Sequence, residues 1–257
     1  LNLIWKDAKF FMKEGKMDNK EYIENYLKET CEITSNVDKN EIDKFINLLF
    51  NAWKQGKKVI TMGNGGSAST ASHFAADLSK TVVNPSSESD ITGKQGFRAF
   101  CLNDNPSALT AWVNDCGWDK VYAGFLNTYL DEGDVILLIS VHGGSGWSSN
   151  IVQAIDVARK RNAKILGLAG FDGGKLKELA DSCIVVPKDS TPHTEGFHVV
   201  LQHLIVDRLM NLVQESHILP FSERFPNIEE VENDSTKKFL SEIIKESNKK
   251  PEKIPIK

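Results

Sequence analysis

From Lys57 onward the chain alternates short apolar runs with longer segments of mixed character. The runs are "KVITM" (58–62), "FRAFCLN" (97–103), "DVILLIS" (134–140), "AKILGLAG" (163–170) and "SCIVVP" (182–187). Between them lie "ASHFAADLSK", "PSALTAWVND", "VYAGFLNTYLDEG", "SNIVQAIDVARKRN" and "GGKLKELA", in which apolar residues recur at helical spacing. Apolar runs without polar alternation predict strands buried on both faces, and helical crossovers between them predict a parallel, doubly wound α/β sheet. Residues 1–56 read as a helical arm: "KEYIENYLKET" and "KNEIDKFINLLFNAWKQGKK" carry apolar residues at three- and four-residue intervals, with Gly56 as the stop. A last core helix is expected over "HTEGFHVVLQHLIVDRLMNLVQESH". The organisation expected is an arm (1–56), a core domain (57–215) and a charged tail (216–257). The tail offers one short amphipathic helix, "STKKFLSEIIKES", and a disordered end. The polar loop 84–96 reads as a lid or a mobile insertion.

Composition narrows the partners. A chain of 257 residues that is 40% hydrophobic suffices for one sizeable α/β core. Its formal net charge of -4 gives no attraction to phosphate backbones or anionic membranes, so neither nucleic acid nor a membrane is expected as partner. No apolar run approaches the roughly 20 residues of a membrane-spanning helix. Cys31, Cys101, Cys116 and Cys183 show no C-x-x-C spacing, which reads as reduced thiols in a cytoplasmic protein, Cys101 and Cys183 being small core residues. Trp53, Trp112, Trp118 and Trp147 read mainly as packing residues, with Trp147 placed in a loop where its ring must cover a ligand or meet a partner.

The chemistry concentrates at two glycine-rich turns. "GNGGS" (63–67) follows the first strand and opens a helix, where backbone N–H groups converge and the helix dipole favours negative charge. The pattern is neither G-x-G-x-x-G nor G-x-x-x-x-G-K-[ST], so no nucleotide cofactor is indicated. "SVHGGSGWSSN" (140–150) follows a second strand in the same way. Such a turn alone also serves tight geometry, but two at strand ends flank one crevice and suit a single phosphate on a small molecule. His73 and Asp77, at i and i+4, share one helix face and suit two metal ligands or a base with its orienting partner. The late helix adds Glu195, His198 and His203; a histidine in such an apolar helix is more usually a satisfied core residue. Asn114 and Asp115 read as a turn or as a hydrogen-bonding pair for sugar hydroxyls, and "GFDGGKL" (170–176) as a structural turn.

The segments "GNGGSASTASHFAADL", "NDCGWDKVY", "GDVILLIS…GGS", "GLAGFDGGKLKELAD" and "EGFHVVLQHLIVD", over roughly residues 45 to 212, together resemble the phosphoheptose isomerases of the sugar isomerase (SIS) domain superfamily. The resemblance implies a three-layer, five-stranded parallel sheet of flavodoxin-like character and a homotetramer with sites where subunits meet. It implies a phosphorylated sugar, most simply sedoheptulose 7-phosphate, as substrate. It places Asn64, Gly65, Gly66 and Ser67 in the first substrate loop and Asn114 and Asp115 in a substrate-contacting pair. Ser140, His142 and Ser145 fall in a phosphate loop. His73, Asp77, Glu195 and His203 fall on four positions that bind zinc in some members, and Asp77 and His203 on those assigned to proton transfer; Glu195 also falls within reach of substrate. The chain departs from the family pattern in having Asp77 for a usual glutamate, Glu195 for a usual amide, "SVHGGS" for S-T-S-G-N-S with "GWSS" after it, and a longer 84–96 loop. A rival reading is a SIS protein that serves as a sugar-phosphate sensor or tetrameric scaffold, or an isomerase of another phosphosugar.

Overall fold

The computed structural model of the chain describes residues 18–83 and 95–218. All five expected runs form strands of one sheet: β1 (Lys58–Gly63), β2 (Arg98–Cys101), β3 (Val135–Ser140), β4 (Lys164–Ala169) and β5 (Ser182–Val185). The strand order is β2-β1-β3-β4-β5 and every pair is parallel. The order reverses beside β1, so the chain leaving β1 and the chain leaving β3 run to opposite faces of the sheet and open a crevice at the strands' carboxyl ends.

The absence of polar alternation in the central strands has the predicted cause. In β3 all six residues are buried, with Val135, Leu137 and Ile139 facing one core layer and Ile136 and Leu138 the other. Each such aliphatic side chain contributes roughly 1.5–3 kcal/mol by leaving water. The first layer is closed by α2 (Lys39–Lys54), α3 (Gly66–Ser79) and α8 (Thr191–Ile218), through residues such as Phe45, Leu49, Phe74, Leu201 and Ile205. The second is closed by α5 (Val121–Tyr129), α6 (Ser149–Lys160) and α7 (Gly174–Leu179), with α4 (Pro106–Cys116) half-buried beside them. This is the three-layer α/β fold the resemblance implies.

Helix α1 (Asn19–Asn36) opens at Asp18, which accepts from the Glu21 N–H at 2.8 Å, and α2 at Asp38, which accepts from the Asn40 and Glu41 N–H groups. Helix α2 turns Ile42, Phe45, Ile46, Leu49 and Ala52 into the first core layer, whereas Tyr22, Ile23 and Leu27 of α1 are exposed. The expected helix at 235–247, the disordered end, the first part of the arm (1–17) and most of the 84–96 loop lie outside the described residues. One tryptophan requires a correction. Trp53 and Trp112 are half-buried against the two cores, but Trp118, expected to pack, is 42% exposed at the start of a short 3-10 turn after α4; Trp147 lies in the loop after β3 and is 55% exposed. No described helix is long and apolar enough to cross a membrane.

Candidate active site

The first glycine turn is held by a buried polar network. Tyr122, fully buried on α5, donates its hydroxyl to the Gly63 carbonyl and lies 3.1 Å from Asn64 Oδ1. Asn103 donates to the same carbonyl at 3.1 Å and to the Tyr122 oxygen at 3.0 Å, and accepts from the Gly63 N–H at 3.2 Å. Burial pushes the Tyr122 hydroxyl up to about 12, which keeps it a neutral donor. Asn64 then exchanges two amide hydrogen bonds with the buried Asn150, at 3.0 and 2.9 Å. Asn150 lies in the first turn of α6, so this pair ties the turn after β1 to the end of the loop after β3 across the crevice. Replacing Tyr122 by phenylalanine is expected to cost about 1–2 kcal/mol, since Asn103 still serves the Gly63 carbonyl. Chemical denaturation measures it.

The second loop is locked to a third. The Gly143 carbonyl accepts from the Leu176 N–H at 2.8 Å, and a Cβ on Gly143 would lie 1.9 Å from the Gly173 oxygen, so only glycine permits the approach. The 170–174 turn is therefore structural, as expected, and its role is to brace the loop that carries Ser140, His142 and Ser145. Ser140 is buried at the end of β3, Ser145 is exposed, and the exposed His142 ring packs 4.4 Å from the Phe171 ring.

On α3, His73 Nε2 lies 3.3 Å from Asp77 Oδ2, as the i,i+4 spacing requires. His203 of α8 brings Nδ1 to 3.8 Å from the same oxygen, and the two imidazoles meet edge to face at 5.0 Å. Each of His73, Asp77 and His203 offers one ligand atom within 4.8 Å of the others. Both histidines are exposed and Asp77 is largely covered. Two groups that sequence reasoning missed hold its carboxylate. Thr81 donates to Oδ1 at 2.9 Å and the fully buried Gln202 donates to Oδ2 at 3.0 Å.

Glu195 is not in that cluster, which corrects the expected set of four. A Cβ built on Gly66 would lie 2.7 Å from Glu195 Oε1, so the Glu195 carboxylate rests on the first turn of α3. There the helix N-terminus, capped by no side chain, attracts it electrostatically. The same contact sets a side chain of the chain itself beside the first glycine turn, where the sequence suggested an anion site. Ser67, next along, is buried. Asn114 and Asp115 lie within the last turn of α4, not after it; both are exposed, and Asn114 donates to Asp115 at 2.8 Å. His198 is a core histidine, as expected, but satisfied at one ring nitrogen: its Nε2 lies 3.1 Å from the Ala169 carbonyl at the end of β4, while its buried Nδ1 has no hydrogen-bond partner.

The zinc-type chemistry fits three of the four expected residues. A carboxylate and two imidazoles with their ligand atoms this close match a site with three protein ligands and an open fourth position.

Comparison with known proteins agrees with this architecture. The SIS domain family model matches residues 21–170. The lincomycin biosynthesis protein LmbN of Streptomyces lincolnensis is 37% identical over 190 residues, 71% of this chain; the chain spans 66% of that protein, just under two thirds. The phosphoheptose isomerase of Aliarcobacter butzleri is 36% identical over 170 residues, covering 66% of this chain and 84% of that one. The solved phosphoheptose isomerase of Neisseria gonorrhoeae superposes with a TM-score of 0.65 at 27% identity, over 75% of this chain and 98% of the other. With a domain match over more than half its length and the Aliarcobacter relative covered over most of its own, the chain belongs to the SIS domain family and, within it, to the phosphoheptose isomerases.

Proposed function

We propose that this chain is an aldose–ketose isomerase of a phosphosugar, converting sedoheptulose 7-phosphate to D-glycero-D-manno-heptose 7-phosphate through an enediol. The observation that carries the reading is the His73–Asp77–His203 cluster, in a chain whose relatives are named phosphoheptose isomerases. Asp77 takes the proton from the carbon beside the carbonyl, and the electrons of that C–H bond form the enediol double bond. His203 gives a proton to the carbonyl oxygen and takes one from the neighbouring hydroxyl. Return of the carbon-bound proton to the former carbonyl carbon completes the exchange. His73, Asp77 and His203 are the residues that would hold zinc, which when bound supplies Lewis-acid polarisation of the carbonyl.

The loops divide the substrate between them. The Glu195 carboxylate on α3 disfavours a phosphate at the first turn and suits the hydroxyls of a sugar, beside Asn64, Gly65, Gly66 and Ser67. The phosphate then belongs at the second loop, with Ser140, His142 and Ser145. Asn114 and Asp115 serve further hydroxyls. A homotetramer with sites at subunit contacts is part of this reading. It is supported by the exposed apolar residues Val200 and Leu204, which flank the cluster on α8, and Tyr22, Ile23 and Leu27 on α1. The free thiols of Cys31, Cys101, Cys116 and Cys183 suit the cytoplasm.

The test is turnover of sedoheptulose 7-phosphate by purified protein sized by light scattering, assayed as isolated, after chelation and after zinc addition. Heptose 7-phosphate should form, with the rate falling on chelation and returning with zinc. A folded protein inactive in all three states sinks the assignment.

A further inference from the structure

We propose that Gln202 is the positioning residue that fixes Asp77 between His73 and His203; its catalytic consequence rests on the isomerase reading above, its geometry does not. Gln202 sits on the buried stripe of α8 with Phe197, Leu201, Ile205 and Val206. Packing there asks only for an apolar side chain of its length. The amide instead leaves its Oε1 buried without a hydrogen-bond partner, which disfavours the fold. What the amide gains is the bond from Nε2 to Asp77 Oδ2 at 3.0 Å. An ionised carboxylate only accepts, so the donor end of the amide must face it.

The two oxygens of Asp77 are held from different elements. Thr81, in the short turn after α3, holds Oδ1. Gln202, from α8, holds Oδ2, the oxygen that faces both imidazoles. With Thr81 alone the carboxylate would pivot about Oδ1 and carry Oδ2 away from the histidines. Gln202 and His203 are consecutive, one buried and one exposed, so the same bond also sets the spacing between the helix bearing His203 and the helix bearing His73 and Asp77. Partners of this kind fix the orientation of metal ligands and catalytic carboxylates, and their loss typically costs about 10–100-fold in affinity or activity.

The variants Gln202→Met and Gln202→Leu in the full chain test this. Thermal unfolding should be unchanged or raised, because an orphaned buried acceptor is removed. Zinc affinity, measured by competition with a chromophoric chelator, should fall by about 10–100-fold, and kcat for sedoheptulose 7-phosphate should fall with KM little changed. A lower Tm with wild-type zinc affinity and kcat would mark Gln202 as merely structural and overturn the proposal. If the wild type neither binds zinc nor turns over the sugar, the isomerase reading fails by itself. A crystal structure of Gln202→Met then decides this one: Asp77 swung away or split between rotamers supports it, and Asp77 unmoved overturns it.

Discussion

Replacement of Asp77 by alanine is expected to lower turnover of sedoheptulose 7-phosphate by about 10²–10⁴-fold, the range a positioned general base contributes, in a protein that still folds. The size follows from how much converges on one carboxylate. Asp77 is the only member of the cluster within ion-pair distance of both imidazoles, and Thr81 and Gln202 fix both its oxygens. Its removal leaves no base over the substrate carbon and reduces the metal ligands to two. The fold should lose about 1–3 kcal/mol, since the buried Gln202 amide loses its acceptor, and circular dichroism and thermal unfolding would register that separately. Asp77→Asn keeps the shape but cannot accept a proton, so its rate should fall nearly as far. Asp77→Glu tests the stem length: a rate near wild type would mean that the cluster tolerates the extra methylene. Alanine within threefold of wild type in steady-state kinetics would remove Asp77 from the mechanism.

The strands were legible because a strand covered on both faces has no polar positions to confuse its pattern, as in "VILLIS", buried throughout. The two glycine turns were legible because turn chemistry is local. Their direct connection was not: Asn64 and Asn150 are 86 residues apart, and nothing near either announces an amide pair. His73 and Asp77 could be paired from spacing on one helix, whereas assigning His203 to them and Glu195 elsewhere depends on how α8 crosses α3. Glu195 and His203 stand eight positions apart, about two turns or roughly 12 Å along the axis. That is enough for one to reach the start of α3 and the other its end. The signal for Gln202 was present, since a polar residue stands where the apolar stripe Phe197, Leu201, Ile205 calls for a hydrophobe. Such a residue needs a buried partner, and only the structure names Asp77.

His198 gives the fold a pH dependence whose sign is fixed by its burial. Lying on the same stripe as Gln202, it is 1% exposed, with Nε2 directed to the Ala169 carbonyl and Nδ1 without a hydrogen-bond partner. Desolvation lowers its pKa from 6.5 to about 4, against a smaller opposing effect of the Ala169 carbonyl. The folded protein therefore binds fewer protons at this site than the unfolded chain does between those values. The neutral imidazole's contribution is fully present above pH 6.5, the unfolded value, and is lost as pH falls through the folded value near 4. At about 1.36 kcal/mol per pKa unit the loss approaches roughly 3 kcal/mol. Denaturant titrations at pH 7, 5.5 and 4.5, with chelator present so that metal release does not contribute, should show stability falling in this window. In His198→Gln, whose amide still donates to a carbonyl but does not titrate, that component of the slope should vanish even if the variant is less stable at pH 7. Parallel profiles for the two proteins would mean that the acid sensitivity arises elsewhere and that the His198 pocket admits the charged ring.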